Sequence, residues 1–378
     1  MVTSASPIVP SVLSHIYYSV LHEADVFSRS TWRDWLSTPI SGTIFILGSL
    51  TYLPFEEAIS NSAIILLNLT IYIYFFNTWT QYTSVEEDRI NKPDRPIPAG
   101  ITTPAGAKRR GLVLTALWFS FAIYRPDLIV ETWILVIATI TLGMNNLGRR
   151  WFVKNTICMS IMTWGFLSSP RKLMGAPLPN TSSHLIALAV WVGFVSYAQD
   201  FRDVEGDKES GSWTLPMVLG DDNARLLFAF VCMPLGYMTL WYNGMAQLAP
   251  WILAGLHVLV SYRFMTLRNR KADHASYMWI CKIFCIMCGL SSLEAAKLIS
   301  PDRPLEAAMS CLFSGWEVST GAGKLSLDWI RREIYSRIRA YDSKYDTTSD
   351  APYVENWAKL LRPRTYNIVF SIQRPLVG

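Results

Sequence analysis

Residues 200–208 read Asp-Phe-Arg-Asp-Val-Glu-Gly-Asp-Lys and directly follow an apolar stretch long enough for a helix. Asp200, Asp203 and Asp207 are spaced so that their carboxylates share one face of a helix or of its fraying end. Carboxylates gathered in this way repel one another, and hard divalent cations such as Mg2+ relieve the repulsion. Mg2+ held by one or two carboxylates typically binds a substrate diphosphate as well. The stretch therefore predicts both a metal ion and an anionic ligand.

The sequence around this motif has the composition of a membrane protein. The chain has 378 residues, of which 51% are hydrophobic, and its charged residues fall in short bursts between apolar runs. Because about 20 apolar residues are needed to cross a bilayer, we predict an all-α fold, a polytopic membrane helical bundle of about nine transmembrane helices. The predicted spans are 40–58, 61–83, 111–125, 127–147, 154–175, 184–201, 223–243, 248–265 and 275–299.

These spans divide the chain into three predicted parts. Residues 40–299 form the transmembrane domain, and residues 1–39 form an N-terminal cytoplasmic or interfacial segment that lacks the features of a cleaved signal peptide. Residues 300–378 form a polar tail. One stripe of the tail is apolar and has arginines beside it, as in a helix on a membrane surface, although a solvated helix fits equally well. The stripe consists of Leu327, Ile330, Ile334 and Ile338.

Basic residues lie in alternate loops of the predicted bundle. Lys and Arg next to the ends of spans favour the cytoplasmic side of a membrane, and they concentrate in residues 89–110, 149–154, 202–208 and 268–271. We therefore expect the acidic motif to face the cytoplasm. The same topology accounts for the net charge of +5, so the expected partner is the lipid bilayer and no nucleic acid is expected.

A second acidic cluster ends the second predicted helix. Residues 86–88 read Glu-Glu-Asp, and a basic loop interrupted by proline follows at 89–96. Taken alone, such a charge run indicates a solvated helix end. Two such clusters on one predicted side, each with adjacent Lys and Arg, instead favour a metal-bridged diphosphate, since cations neutralise the oxygens that the metal leaves free. One helix face carries polar side chains that could line a cavity: Asn77, Thr80, Ser84 and Asp88.

The two clusters together resemble the motifs of the UbiA superfamily of intramembrane prenyltransferases. The pattern at 200–208 is followed by Thr-Leu-Pro at 214–216, and residues 87–93 read Glu-Asp-Arg-Ile-Asn-Lys-Pro. The latter form looks most like the fungal branch, which includes membrane-bound terpene cyclases. The resemblance covers about residues 40–299 and implies a UbiA-like fold in which Mg2+, held between the two motifs, binds a prenyl diphosphate that is then ionised.

The resemblance also implies the site residues. The implied catalytic metal ligands are Asp88, Asp200, Asp203 and Asp207, with Glu87 as a further candidate. The implied diphosphate-binding residues are Arg95, Lys154 and Lys208, together with Arg150 and Lys92.

The first motif departs from the family pattern, because the family's leading Asn falls on Thr80 and its first Asp falls on Ser84. Asn77 lies one turn earlier. Glu86 or Glu87 could supply the missing carboxylate, and the sequence leaves that choice open.

The expected function is that of a Mg2+-dependent terpene cyclase. The resemblance implies farnesyl diphosphate as the substrate, a sesquiterpene such as beta-trans-bergamotene as the product, and an active site on the cytoplasmic side of the endoplasmic reticulum membrane. A cyclase must stabilise carbocations, and aromatic faces do so by cation–π attraction. The rings expected near the site are those of Trp79, Tyr82, Trp164 and Tyr197.

Two other functions fit parts of the sequence. A UbiA-type prenyltransferase would ionise the same substrate and pass the prenyl group to an aromatic or quinone-precursor acceptor. That reaction needs a base or an oriented polar group, yet His184 and His257 lie at or within spans away from the acidic side. A transporter would place its acidic residues near the middle of the bilayer, whereas both clusters here are at helix ends.

Overall fold

The structure, a computed structural model, describes residues 8–144, 146–175 and 181–309. These residues are mainly helical and none of them forms a β-strand, so the predicted all-α fold is confirmed. The α-helices are α1 Ile8–Thr31, α2 Ser41–Ile46, α3 Phe55–Thr83, α4 Val85–Asn91, α5 Pro104–Tyr124, α6 Ile129–Met144, α7 Met159–Met174, α8 Thr181–Val195, α9 Ala198–Glu209, α10 Leu215–Leu219, α11 Asp221–Leu227, α12 Met233–Tyr242, α13 Pro250–Thr266 and α14 Arg270–Ala295.

Fewer helices than predicted have the length and composition of a membrane span. In the described part of the chain there are four, namely Phe55–Thr83, Pro126–Gly143, Asp221–Tyr242 and Arg270–Ala295. A fifth results if α8 and α9, which meet at a bend of 45°, count as one span. The number of nine is therefore not confirmed and stays a prediction. The apolar stripe predicted for the tail lies outside the described residues.

The first predicted span, 40–58, is not a single helix. The chain forms a π-helix at Leu36–Ile40, then α2, and then a 3-10 helix at Leu47–Tyr52 that ends before Pro54. Pro39 lies inside the π-helix and has no N–H with which to continue a regular helical ladder. Residues 40–58, which hydropathy predicts to be one span, are therefore divided among several short helices.

Two short acidic helices are each attached to the end of a longer apolar one. α3 ends at Thr83, and the chain continues as α4 after a break at Ser84. In the same way α8 ends at Val195, bends, and continues as α9. The two acidic helices pack against each other, so the two sequence motifs meet in space.

Gly206 allows this close approach of α4 and α9. A methyl group built on Gly206 would overlap the side-chain amide of Asn91 and lie 2.9 Å from the carbonyl oxygen of Glu87. Asn91 uses that amide to donate a hydrogen bond of 3.0 Å to the carbonyl oxygen of Asp203. Glycine is needed here for space, because one backbone runs directly against the other.

The far side of α9 is held by aromatic and ionic contacts. The ring of Phe201 packs on Phe228 and Phe264 at centroid distances of 5.8 and 5.3 Å. Arg225 lies 4.7 Å above the Phe201 ring and donates hydrogen bonds of 2.8 and 3.0 Å to the buried carboxylate of Asp273 on α14. These contacts fix the position of the second motif relative to α14.

Candidate active site

Asp200 is the most completely paired carboxylate of the second motif. It is fully buried, and it accepts hydrogen bonds from Lys154 Nζ at 3.1 Å and from Asn155 Nδ2 at 2.6 Å. Both donors belong to the π-helix Phe152–Cys158, and short π-helical stretches often occur at functional sites. Gln199 in turn donates a hydrogen bond of 2.9 Å to Asn155 Oδ1, which fixes the orientation of the amide.

Asp203 and Asp207 lie on the same helix but in different surroundings. Asp203 lines a cavity, and its oxygens are 3.6 Å from Lys92 Nζ and 3.5 Å from Arg202 Nε. Asp207 is buried, and neither of its carboxylate oxygens accepts a hydrogen bond from any described residue. The charges that act on it most strongly include those of Lys154, Asp200 and Glu87. A buried carboxylate without a partner carries a large desolvation cost, and a bound cation would remove that cost.

Asp88 of the first motif is paired within the protein. Arg95 is also buried, and its Nη1 donates to both Asp88 oxygens at 2.7 and 2.8 Å. Burial is the largest single influence on the pKa of Arg95 and lowers it, but the charges of Asp88, Asp34 and Glu87 and the hydrogen bonds to Asp88 together raise it above the ordinary value for arginine. Arg95, predicted to bind diphosphate, therefore remains charged and holds the carboxylate predicted to bind metal.

Lys92 connects the two motifs. Its Nζ lies 3.9 Å from Glu87 Oε1, 3.9 Å from Asp88 Oδ1 and 3.6 Å from Asp203 Oδ2. Its side chain is only 14% exposed, so the ammonium group occupies the space between carboxylates of α4 and α9. One positive charge thus balances several negative charges where the two motifs meet.

The structure distinguishes the two glutamates that the sequence left as alternatives. Glu87 lines the cavity, whereas Glu86 is exposed and pairs with Arg89 at 2.8 Å. Asn77 and Ser84 line the cavity as well, and the side-chain nitrogen of buried Asn77 has no hydrogen-bond partner among the described residues. Of the oxygen-rich face predicted for the first motif, Asn77, Thr80 and Ser84 therefore line the cavity, whereas Asp88 does not and is bonded to Arg95.

The predicted basic residues separate into two groups. Lys92, Arg95 and Lys154 line the cavity, whereas Lys208 and Arg150 are exposed and do not. The side chain of Lys208 leaves α9 on the solvent side, so its predicted contact with diphosphate has no geometric support here and stays a prediction. Sequence reasoning missed other cavity-lining cations, namely Arg33, Arg149, Arg202, Arg270 and Lys271.

The cavity has a volume of about 900 Å³. Its basic mouth, defined by Lys92, Arg149, Lys154, Arg202, Arg270 and Lys271, lies beside the acidic helices α4 and α9. The other end is lined by aromatic rings from α3, α7, α8 and α14, and we call these rings the aromatic wall. It consists of Tyr72, Phe76, Phe166, Trp191, Tyr277 and Phe284. Tyr277 adjoins the mouth, since the guanidinium carbon of Arg202 lies 4.0 Å from the centroid of its ring.

The expectation for the aromatic residues was wrong in its particulars. Trp79, Tyr82, Trp164 and Tyr197 are not among the residues that line the cavity. The Trp79 indole donates to Thr115 on α5 at 3.1 Å, and Tyr197 forms a hydrogen bond with Thr156. These rings were expected at the site because they are close in sequence to the acidic motifs, but Trp79 and Tyr197 point into contacts between helices.

Trp191 is the most firmly held ring of the aromatic wall. Its Nε1 donates to His257 Nε2 at 2.8 Å, while His257 Nδ1 is 2.7 Å from the carbonyl oxygen of Leu253 and donates to it. The Trp191 ring is stacked on Phe284 at a centroid distance of 6.3 Å and an angle of 10°. His257, which the sequence placed away from the acidic side, thus fixes a ring of the cavity.

The carboxylates are the type of ligand that a hard cation prefers, but their oxygens do not converge on a single point in this structure. Within residues 8–144, 146–175 and 181–309, no group of three His, Cys, Asp or Glu side chains is close enough to hold a metal ion. The unpaired buried oxygens of Asp207 and the oxygen-only donor set suit Mg2+. In the present arrangement Lys92, Lys154 and Arg95 neutralise the remaining carboxylates.

Comparison with known families agrees with this geometry. Residues 42–283 match the model of the UbiA prenyltransferase family. The chain belongs to the UbiA prenyltransferase family. The match contains both acidic helices and the whole aromatic wall except Phe284.

UbiA relatives with two kinds of activity are similar to this chain. Diterpene cyclase eriG from Hericium erinaceus is 38% identical over 78% of this chain and 96% of its own length. Polyprenyl transferase eriF from the same organism is 36% identical over 75% of this chain and 99% of its own length. Fumagillin beta-trans-bergamotene synthase af520 from Aspergillus fumigatus is 28% identical over 55% and 73%. The resemblance to the terpene cyclase branch is thus confirmed.

The fold also matches a solved UbiA structure. A UbiA homolog from Archaeoglobus fulgidus, solved bound to DMAPP and Mg2+, superposes with a TM-score of 0.53 at 13% identity. The superposition covers 72% of this chain and 99% of the homolog. At this level of identity the match shows the fold alone.

Proposed function

We propose that this chain is a membrane-embedded, Mg2+-dependent terpene cyclase that ionises a prenyl diphosphate and closes rings in the resulting cation. The observation that carries the proposal is a single cavity with acidic helices and a basic mouth at one end and the aromatic wall at the other. Its sequence relatives include terpene cyclases. We propose that the active site faces the cytoplasm, as the loop charges predict, and that the membrane is the endoplasmic reticulum, as the resemblance to the fungal branch implies.

The acidic helices would bind the head of the substrate. Asp203 and Asp207 of α9, with Asp200 behind them and Asp88 and Glu87 from α4, would hold Mg2+. Mg2+ neutralises the diphosphate and makes it a better leaving group. Lys92 and Lys154, now paired with these carboxylates, would turn to the free phosphate oxygens when the metal takes their place.

The aromatic wall would receive the hydrocarbon tail. Once the diphosphate leaves, the allylic cation needs negative electrostatic potential without a nucleophile, and the faces of Tyr72, Phe166 and Trp191 supply it. The indole nitrogen of Trp191 is already bonded to His257, so this polar group is not available to the cation. Water excluded from this end of the cavity cannot trap the cation.

Two lengths of prenyl diphosphate are supported as substrates. The motif resemblance predicts farnesyl diphosphate and a sesquiterpene such as beta-trans-bergamotene. The 38% identity to a diterpene cyclase, against 28% to the bergamotene synthase, supports a substrate one isoprene unit longer. We therefore propose geranylgeranyl diphosphate beside farnesyl diphosphate, and a cavity of about 900 Å³ has room for either.

Prenyl transfer is the second candidate. The 36% identity to polyprenyl transferase eriF favours it, and the ionisation step is common to both reactions. A transferase would bind an aromatic or quinone-precursor acceptor in the part of the cavity that a cyclase fills with the folded tail.

Mass spectrometry of products separates the two functions. Membranes that contain the protein are incubated with Mg2+ and with farnesyl diphosphate or geranylgeranyl diphosphate. Membranes with the Asp203→Ala variant are the inactive control. We expect a terpene hydrocarbon that is absent from the control. No hydrocarbon from either substrate, but a prenylated product after an aromatic acceptor is added, would overturn the cyclase in favour of transfer.

A further inference from the structure

A segment outside both acidic motifs contributes to the cavity. Trp32–Asp34 forms a 3-10 helix and is followed by the π-helix Leu36–Ile40. Asp34 and Leu36 both line the cavity. The carbonyl oxygen of Leu36 accepts a hydrogen bond of 3.3 Å from Cys285 Sγ on α14. Since a helix rises ~1.5 Å per residue, Cys285 is about 22 Å along α14 from Arg270 and about 12 Å from Tyr277, whose ring contacts Arg202. The segment therefore runs from the basic mouth along the cavity.

Asp34 is a carboxylate without a partner in this cavity. In the part of the chain that the structure describes, its oxygens form no hydrogen bond and no ion pair, whereas the adjacent Arg33 pairs with Asp94. Asp34 nevertheless lies within electrostatic range of Arg95 and Arg202, on the side of the diphosphate, and of Tyr72 and Tyr277 of the aromatic wall. Asp34 therefore lines the part of the cavity where the basic mouth meets the aromatic wall, near the contact between Arg202 and the Tyr277 ring.

The other proton acceptors that line the cavity near the acidic helices are already engaged. Glu87 and Asp203 are paired with Lys92. His274 Nδ1 forms a hydrogen bond of 3.0 Å with Arg202 Nη1. Among the described lining residues, this leaves Asp34 as the carboxylate with free lone pairs next to aromatic rings.

We propose that the Asp34 carboxylate takes the proton that ends the cyclisation. The inference rests on the proposed cyclase function. The C–H bond next to the final cationic carbon breaks, its electron pair forms the new C=C bond, and the proton passes to an Asp34 oxygen. The neutral hydrocarbon leaves, and Asp34 releases its proton to water at the basic mouth. No oxidant, reductant or further reactant is required.

The test compares two products of one reaction. Wild-type protein, Asp34→Asn and Asp34→Glu are given Mg2+ with geranylgeranyl or farnesyl diphosphate, and both released diphosphate and hydrocarbon are quantified. Asp34→Asn keeps the shape but removes the proton acceptor, so we expect diphosphate release to continue while hydrocarbon formed per diphosphate falls by about a hundredfold. Terpene alcohols, formed when water from the basic mouth adds to the cation, would replace the hydrocarbon. Asp34→Glu should restore much of the ratio.

Asp222→Asn is the matched control, since Asp222 is an exposed carboxylate that pairs with Arg268 on the surface. Its ratio of hydrocarbon to diphosphate should equal that of the wild type. An unchanged ratio in Asp34→Asn would overturn the inference but would leave the proposed cyclase function standing. Loss of diphosphate release in both Asp34 variants would also overturn it, because proton removal follows ionisation. A wild-type protein that makes no hydrocarbon would overturn the proposed function and the inference together.

Discussion

The two acidic helices are built alike and neutralised differently. α4 and α9 each follow a break at the end of an apolar helix, and they pack against each other. In α4 the buried Asp88 is bonded through both oxygens to Arg95. In α9 the equally buried Asp207 has no hydrogen-bond partner among the described residues. The counter-ion of Asp88 comes from the loop that follows α4, whereas Asp207 of α9 has two oxygens that could bind a cation.

This difference coincides with the departure of the first motif from the family pattern. Where the family has an aspartate, α4 is preceded by Ser84, whose hydroxyl lies 3.5 Å from Asp88 Oδ2. With one carboxylate fewer, the positive charge of Arg95 is enough to balance Asp88. Two buried aspartates in similar motifs can therefore differ in their pairing: Asp207 has no hydrogen-bond partner among the described residues, whereas Asp88 would have to exchange its contact with Arg95 for a metal.

Asp207→Asn should have the largest effect on activity. The amide cannot neutralise a bound cation, and we expect product formation to fall by about a thousandfold, which corresponds to the loss of several kcal/mol of charge stabilisation. Without Mg2+ the variant should be at least as stable as the wild type, because it no longer buries an unpaired charge. Product analysis and thermal unfolding in detergent would measure the two effects. A fall in metal-free stability would show that Asp207 has a partner in the protein.

Arg95→Gln should have the largest effect on stability. It leaves buried Asp88 without its directly bonded cation and with only Lys92 nearby, 3.9 Å from Oδ1, and breaking a buried ion pair costs about 3–5 kcal/mol. The exposed pair of Arg89 and Glu86 supplies the control, because Arg89→Gln should leave the unfolding temperature almost unchanged. Denaturant or thermal unfolding in detergent would compare the two variants. Equal stability in Arg95→Gln and Arg89→Gln would contradict the view that α4 is neutralised from within.

Gly206→Ala should separate the two helices by a small distance. The added methyl group meets Asn91 and the backbone at Glu87, and overpacking of this kind costs about 1–3 kcal/mol. Gly255→Ala is the matched control, since nothing lies within 4 Å of a methyl group at that position. Unfolding experiments should rank the variants, and the apparent affinity for Mg2+ should weaken in Gly206→Ala alone. An unchanged affinity would mean that the motifs bind metal independently.

His257→Leu should change products more than rates. His257 belongs to neither acidic helix and accepts the hydrogen bond of the buried Trp191 indole, so its loss leaves that N–H without an acceptor and should cost about 1–3 kcal/mol of stability. We expect diphosphate release close to that of the wild type and an altered ratio of hydrocarbon products. Gas chromatography of the product mixture measures this ratio. The same mixture from both proteins would show that the aromatic wall does not depend on His257.

Local patterns predicted the helices that carry the acidic motifs, because spacing along a helix and the cost of charge near a membrane act over a few residues. Asp203, Lys92 and Lys154 indeed reach the cavity. Such patterns carry less information where the rotation of a helix decides the outcome: Lys208 adjoins Asp207 in sequence but is exposed, and its contact with diphosphate stays a prediction. They failed for long-range contacts such as Asp34 and Trp191, since no short pattern indicates which distant helices enclose one space.

The missing side chain at Gly206 has a consequence for protein engineering. Since the backbone of α4 lies directly against α9, the position of each acidic helix depends on the shape of the other. A chimera that receives only one of the two from a relative would inherit a contact surface shaped for a different neighbour. Exchanges that aim to alter substrate choice should therefore move both helices as one module.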